Sequence, residues 1–393
     1  MTATPKGFKL ATINAGFRQK ERPDIALLVS EYPAVTAATF TQAAFVAAPV
    51  IVARELMASG QVKRAVLVNT GHANACTGDE GVANCRETLH LAAKACDLNA
   101  AEILPASTGV IGEQMKMDLW AEAIPPLVAK LGTASVEEFA NAMRTTDAFP
   151  KFGGATVELA HGTVTLAGMA KGAGMICPNM ATMLCVVMCD AAIDAPAWQA
   201  MFRAGVEKTF NRVTVDGDTS TNDTVYGLAN GASGVSVTAD DLPVLQDAVV
   251  KLLGDLAYML VQDGEGATKV MRISVTGAEN DADAEKIART VGHSQLVKTA
   301  MYGKDANWGR IAAAVGRSGA SFTPKDVRIS LCGVEVFRDE QPTAPNFDAA
   351  LKEPLQNRDI PIDIVVGAGN GTYTLLASDL THKYVDINAE YRS

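Results

Sequence analysis

The chain has 393 residues, 48% of them hydrophobic and 20% charged, and carries a net charge of −10. That length holds two or three domains with a sizeable core, and an acidic balance without a basic cluster argues against nonspecific nucleic-acid binding. No secretory h-region follows Met1, and no apolar run approaches the roughly 20 residues of a membrane helix, so a cytoplasmic protein with no membrane partner is expected.

In chain order, residues 8–13, 24–29 and 34–40 read as strands. Pro49 opens a helix that Gly60 closes, and residues 64–68 form a continuous apolar strand buried on both faces. That strand delivers a small polar loop, 69–78. A helix over 81–98 follows, with Val82, Cys85, Leu89 and Cys96 on one face.

Residues 103–112 hold a second polar loop, Ser107-Thr108-Gly109, after a short strand. A plain turn explains its composition, yet a hydroxyl beside a glycine also exposes backbone N–H groups suited to an oxyanion. Helices over 118–131, broken or kinked at Pro125-Pro126, and over 135–143 lead into Arg144-Thr145-Thr146-Asp147-Ala148. Residues 155–167 alternate as a hairpin about His161-Gly162.

The most informative stretch is Lys171-Gly172-Ala173-Gly174-Met175-Ile176-Cys177-Pro178-Asn179-Met180-Ala181-Thr182-Met183-Leu184. Glycines and Pro-Asn before the apolar run 183–188 read as a tight loop feeding a buried strand. Thr182 sits where loop meets strand, behind small Ala181. It is either an ordinary β-branched strand residue or a nucleophile activated by a base, including its own α-amine once the chain is cut.

Beyond it lie a helix over 196–210 and the polar run Asp216 to Asp223, which lacks the glycine and glutamate of a calcium loop and ranks as a polar turn. A long helix over 239–262 precedes Asp263-Gly264-Glu265-Gly266. A strand over 269–275 and a helix over 282–300 follow. The glycines of 367–371 run into a strand-like segment, so a dinucleotide fingerprint is poorly supported there. Seven cysteines without a C-x-x-C pair and five scattered histidines predict reduced thiols and no metal.

The string 171–184 resembles the self-cleavage site of the ornithine acetyltransferase family, the glutamate N-acetyltransferases of arginine biosynthesis. Further likenesses are Ser107-Thr108-Gly109-Val110-Ile111-Gly112, Val215 to Asp223, Asp305-Ala306-Asn307-Trp308-Gly309-Arg310-Ile311 and the tail to Ser393. The sequence departs from the family pattern at His72, Ala148 and Ala306, where asparagine, threonine and proline are usual.

The resemblance implies an α/β fold, an α-β-β-α sandwich of mixed sheets, cut at Ala181–Thr182 into chains 1–181 and 182–393 that share one active site. It implies Thr182 as nucleophile, Thr108 and Gly109 as oxyanion donors, and a substrate pocket of Thr145 (ahead of Thr146), Lys171, Thr182, Glu265, Asn388 and Ser393. The implied reaction moves acetyl from N-acetylornithine to glutamate without a cofactor, in an α2β2 heterotetramer, with acetyl-CoA a further candidate donor. A self-processing amidase or aminopeptidase, with water as acceptor, is the alternative for the same nucleophile.

Overall fold

The fold comes from a computed structural model, which describes residues 2–18, 22–177 and 183–390. Its described residues divide into two compact units, one of residues up to 211 with 218–260, the other of 212–217 with 261–390. The elements begin with β1 (Phe8–Ile13), β2 (Ile25–Phe40), α1 (Ala48–Ala58), β3 (Lys63–His72), α2 (Gly78–Cys96) and β4 (Ile103–Val110). Next come α3 (Met117–Ala129), α4 (Val136–Met143), β5 (Lys151–Leu159), β6 (Gly162–Lys171), β7 (Leu184–Cys189) and α5 (Ala195–Lys208). They continue with β8 (Val213–Thr214), β9 (Thr224–Ala229), α6 (Leu242–Gln262), β10 (Val270–Ala278), α7 (Asp281–Gly292), α8 (Gln295–Tyr302) and α9 (Trp308–Gly316). The last are β11 (Arg328–Leu331), β12 (Val334–Arg338), β13 (Gln341–Pro342), α10 (Asp348–Leu351), β14 (Asp359–Val365), β15 (Gly371–Ser378) and α11 (His382–Glu390).

The first unit is built on a mixed sheet ordered β4-β3-β2-β9-β7-β6-β5, with β1 added on β2. Its hinge is β2. The two strands expected over 24–29 and 34–40 are one strand, whose first part pairs with β3 and whose second part pairs with β9. Its register against β3 shifts between Val29 and Ala34, across exposed Glu31, Tyr32 and Pro33. Proline cannot donate to a ladder, so it is tolerated at such an irregularity and the strand bends instead of ending.

The bend lays the two halves of the sheet against each other. Alternate residues of β2, β3 and β4 divide between two cores, as a period of two requires. Leu28, Val66, Val68 and Leu104 join Met169, Val186, Met188 and Tyr226 of the other half. Ile25, Leu27, Ala65 and Ile103 face Cys85 and Leu89 of α2 and Trp120 and Leu127 of α3. On the far side, a Cβ on Gly227 would lie 2.3 Å from the Phe202 ring of α5, so only glycine admits that helix so closely. Helix, half-sheet, half-sheet and helix thus form the α-β-β-α layering.

Three expectations change. Helix α3 runs through Pro125 and Pro126 without a break. The prolines and the residues four before them, Ala121 and Glu122, are all exposed, so water can take the carbonyls left without donors. The helix expected over 282–300 is two, α7 and α8, because the Ser294 hydroxyl accepts the Val297 N–H and starts a new helix. The third concerns Thr108 and Gly109, which lie on β4 instead of in a loop.

The second unit carries a mixed sheet ordered β13-β12-β11-β14-β10-β15-β8. Ile287 and Val291 of α7, Val297 and Met301 of α8 and Ile311 of α9 share its core with Ile273, Ile362 and Leu375. The glycine run 367–371 opens β15, a strand, and so is a turn between strands. Among the described residues no helix is long and apolar enough to cross a membrane.

Candidate active site

The fourteen-residue string starts and ends on neighbouring strands, since Lys171 of β6 and Leu184 of β7 are partners in an antiparallel ladder. Leu184 is in turn paired with Thr224 of β9, and Thr224 with Phe40 of β2. One row of the sheet therefore runs Lys171, Leu184, Thr224, Phe40. The residues one step beyond this row are where the chemistry gathers. Ala181 and Thr182, like Ser393, lie outside the described residues.

Lys171 closes β6, is buried, and its Nζ donates to Thr108 Oγ1 at 3.2 Å. Thr108 and Gly109 stand at the end of β4, in parallel register with Thr70 and Gly71 of β3. Gly109 has φ +137°, and a Cβ there would lie 2.3 Å from the Gly71 carbonyl carbon. Only glycine allows the strands to approach so closely there. Asn222 holds this corner: its Nδ2 donates to Ala73 O at 2.6 Å and to Ser107 O at 2.9 Å. The Tyr226 hydroxyl adds a bond to Pro105 O.

Thr145 is also buried, through a residue that sequence reading passed over. Asp147 Oδ1 accepts the Lys151 ammonium at 2.6 Å and the Gly172 N–H at 2.7 Å, while Oδ2 accepts the Thr145 N–H at 2.9 Å. Burial alone would push the Asp147 carboxyl up, but the Lys151 and Lys171 charges and the Gly172 N–H together hold it well below the carboxylate range. Asp147 thus ties the segment carrying Thr145 to the residue after Lys171. Its only sequence signal was a position between the quoted threonines and Lys151.

The second residue missed is Asp223, last of the run ranked as a polar turn. Asp223 is buried and its Oδ1 accepts the Met183 N–H at 2.9 Å. Burial raises its pKa well above the ordinary carboxylate value, against opposition from the Met183 N–H and the Lys171 charge. Two buried carboxylates of unlike character therefore flank Lys171. Residues 222–223 are anchoring positions, and the turn reading fails for them.

In the second unit, Glu265 is buried and its Oε2 accepts from Asn388 Nδ2 at 2.7 Å, so these two predicted residues meet. Gly266 has φ +70°, and a Cβ there would lie 2.7 Å from Lys383 Cβ, which lets α11 seat beside Glu265. His72, one of the departures from the family pattern, is buried edge-on against Phe17. Burial first, then the Lys116 charge, lower its pKa, against Glu113 and Asp24, which raise it. Among the described residues no cluster of metal ligands exists.

A layered mixed α/β protein with hydroxyls, a buried lysine and two unlike carboxylates gathered at strand ends has the makings of an enzyme of group transfer. A model of the ArgJ family matches residues 9–393. The arginine biosynthesis bifunctional protein ArgJ of Nitratidesulfovibrio vulgaris is 64% identical over 393 residues, covering 100% of both chains. Its namesake in Geobacter sulfurreducens is 43% identical over 392 residues, covering 99% of each. Among solved structures, ornithine acetyltransferase of Mycobacterium tuberculosis complexed with ornithine is 34% identical, with 45% of this chain and 93% of that one covered and a TM-score of 0.41. The chain belongs to the ArgJ family.

Proposed function

We propose that the protein transfers acetyl from N2-acetyl-L-ornithine to L-glutamate in arginine biosynthesis, through an acetyl-threonine on Thr182. The observation that carries this reading is the bond from Lys171 to Thr108. It joins the start of the cleavage-site string to the strand end that bears the oxyanion donors. Family membership and the name of the relative complexed with ornithine support the substrate class.

The chemistry has two acts. Thr182 Oγ first attacks the Ala181 carbonyl, and water resolves the ester into chains 1–181 and 182–393. The freed α-amine of Thr182, with an ordinary pKa of about 7.7–8.0, then serves as base for the neighbouring hydroxyl. In the second act that hydroxyl takes the acetyl group, and the amine of glutamate collects it.

Each tetrahedral intermediate puts negative charge on an oxygen, which the N–H groups at Thr108 and Gly109 would stabilise; losing one such donor typically costs about 2.7–4 kcal/mol. Lys171 suits the α-carboxylate of the substrate and Glu265 the ornithine ammonium. Asn388, Thr145 and Ser393 complete the pocket. No step requires a cofactor, and acetyl-CoA is a further candidate donor. The two proposed chains share one sheet, since β7 and β9 lie between β2 and β6. They would therefore stay together after cleavage; the family resemblance is what supports a cytoplasmic α2β2 assembly of such pairs.

The test is incubation of purified protein with N-acetylornithine and glutamate. N-acetylglutamate and ornithine should form in equal amounts. Free acetate formed without any dependence on glutamate would replace transfer with hydrolysis.

A further inference from the structure

The α-amine that serves as base in acetyl transfer does not exist until the chain has been cut. Self-cleavage therefore needs a base of its own, and Asp223 has the position for it. Its Oδ1 holds the Met183 N–H at 2.9 Å, and Thr182 is the residue that precedes Met183 in the sequence. The main chain is fixed on both sides: the Thr224 N–H donates to Met183 O at 3.0 Å, and the Thr41 N–H to Asp223 O at 2.9 Å. Oδ2 is buried and, among the described residues, takes part in no hydrogen bond of ordinary length, although the Ser220 and Thr41 hydroxyls are near enough to act on the carboxyl. The nearby Thr41 hydroxyl is turned to Ser220 O, 2.7 Å away.

We propose that Asp223 is the general base of self-cleavage, with Oδ2 taking the proton of the Thr182 hydroxyl and returning it to the leaving nitrogen. This rests on the reading of Thr182 given above. Oγ bonds to the Ala181 carbonyl carbon as its proton passes to Asp223. The carbon–nitrogen bond then breaks, and the proton moves from Asp223 to the Thr182 nitrogen, which becomes the free amine. Water adds to the resulting ester; its oxygen stays on Ala181 as the new carboxyl, and a proton restores the Thr182 hydroxyl.

Two further observations favour this assignment. Phe40, Val206 and Phe210 line a small cavity with Asp223 and Met183, so the carboxyl has an apolar side that favours its protonated form. Lys171, on β6, acts on it by charge, and the hydroxyls of Ser220 and Thr41 act on it as hydrogen-bonding neighbours, while Thr39 and Thr224 also line the cavity. A carboxyl whose pKa is raised by burial both takes and returns a proton, as a base for one step and an acid for the next. Asp147 is unsuited to the part, because its oxygens already accept from Lys151, Gly172 and Thr145.

Asp223→Asn is nearly isosteric, keeps an Oδ1 acceptor for Met183 and cannot take a proton. Full-length wild-type and variant chains made by cell-free synthesis can be followed by mass spectrometry as they cut. The variant should cut at least about 100-fold more slowly, with a melting temperature near wild type, and Asp223→Glu should recover part of the rate. A variant that cuts at the wild-type rate overturns the proposal, since a mere backbone clamp survives in asparagine. If the asparagine variant does not fold, newly made wild-type chain decides: its cutting rate should rise with pH and level off above a pKa higher than the ordinary value of about 3.9. A rate flat across that range overturns it. A wild-type chain that never cuts overturns the proposed function as well, whereas wild-type cutting with an unaffected variant overturns the role of Asp223 alone.

Discussion

Among the described residues the first unit buries Lys63, Lys151 and Lys171, and the second Lys269 and Lys298. Lys63 donates to a carbonyl beside it, that of Gln61, and the other two of the first unit are satisfied in the opposite way to the two of the second. In the first unit Lys151 is paired with Asp147, and Lys171 acts on both Asp147 and Asp223 while donating to Thr108. In the second unit Lys269 donates to the carbonyls of Leu355, Gln356 and Asn357, and Lys298 to those of Val215 and Ser378. A lysine ringed by carbonyls is a cross-link between segments. A lysine among carboxylates and a hydroxyl is part of a charge balance, which an anionic substrate or a moving proton can shift. The difference separates the candidate active site from structural ammonium groups of equal burial.

Asp147→Asn should have the most severe consequence, because it leaves Lys151 buried without its countercharge. Removing one partner of a buried ion pair costs about 3–5 kcal/mol, and denaturant unfolding should show a loss of that order. Acetyl transfer should fall with it, because Thr145 and Gly172 lose a shared anchor. The pH window follows from the sign. Asp147 has a depressed folded pKa, so its contribution is present above the unfolded value near 4 and is lost as pH falls through the folded one.

Lys298→Met tests the other side. The side chain is nearly isosteric, but the Val215 and Ser378 carbonyls lose a donor, at about 2–3 kcal/mol in total. Its own pKa is lowered to about 8, first by burial, with Asp379 and Asp216 raising it. A variant as stable as wild type would show that the carbonyl cage contributes little.

Glu265→Gln sharpens the assignment of substrate charge. If Glu265 faces the ornithine ammonium, the variant should use N-acetylornithine about 30-fold less well, near the lower end of the 2–5 kcal/mol seen when a charge pair is truncated. Self-cleavage should be unchanged, because it involves no ammonium substrate. Equal kcat/KM for both proteins would remove Glu265 from the pocket.

The bent strand and the clustered carboxylates show where sequence reading reached its limit. Local pattern gave β1, the hairpin of β5 and β6, the buried β7 and the glycine string, because each rests on alternation or on turn residues nearby in the chain. It divided β2 at Glu31-Tyr32-Pro33, since a proline that ends a strand and one at an irregularity look alike without the partner strand. The residues from the glycine string, Lys171 and Thr182, stood out by motif. Asp147 and Asp223 did not, because what makes them notable is burial and distant partners: Met183 N–H lies 40 residues from Asp223 in sequence.

The smallest expected effect concerns acid stability. His293 lies at the surface yet is crowded, and burial, then Arg289, Lys298 and Arg317, lower its pKa to about 4. The unfolded chain then binds a proton the folded chain refuses, so stability falls as pH drops from about 6.5 to 4. Solvent screening at so exposed a ring limits this to roughly 0.5–1 kcal/mol. Melting curves of His293→Gln should show a shallower loss over that window than wild type, and parallel curves would assign the loss to other groups.

Whether one threonine oxygen cuts the chain and then carries the acetyl group can be read by mass spectrometry of wild-type protein incubated with N-acetylornithine alone. Two fragments are expected, with the one beginning at Thr182 heavier by a single acetyl group and returned to its original mass when glutamate is added. An intact chain, or a Thr182 fragment that never gains the acetyl group while N-acetylglutamate still forms, would contradict that double role.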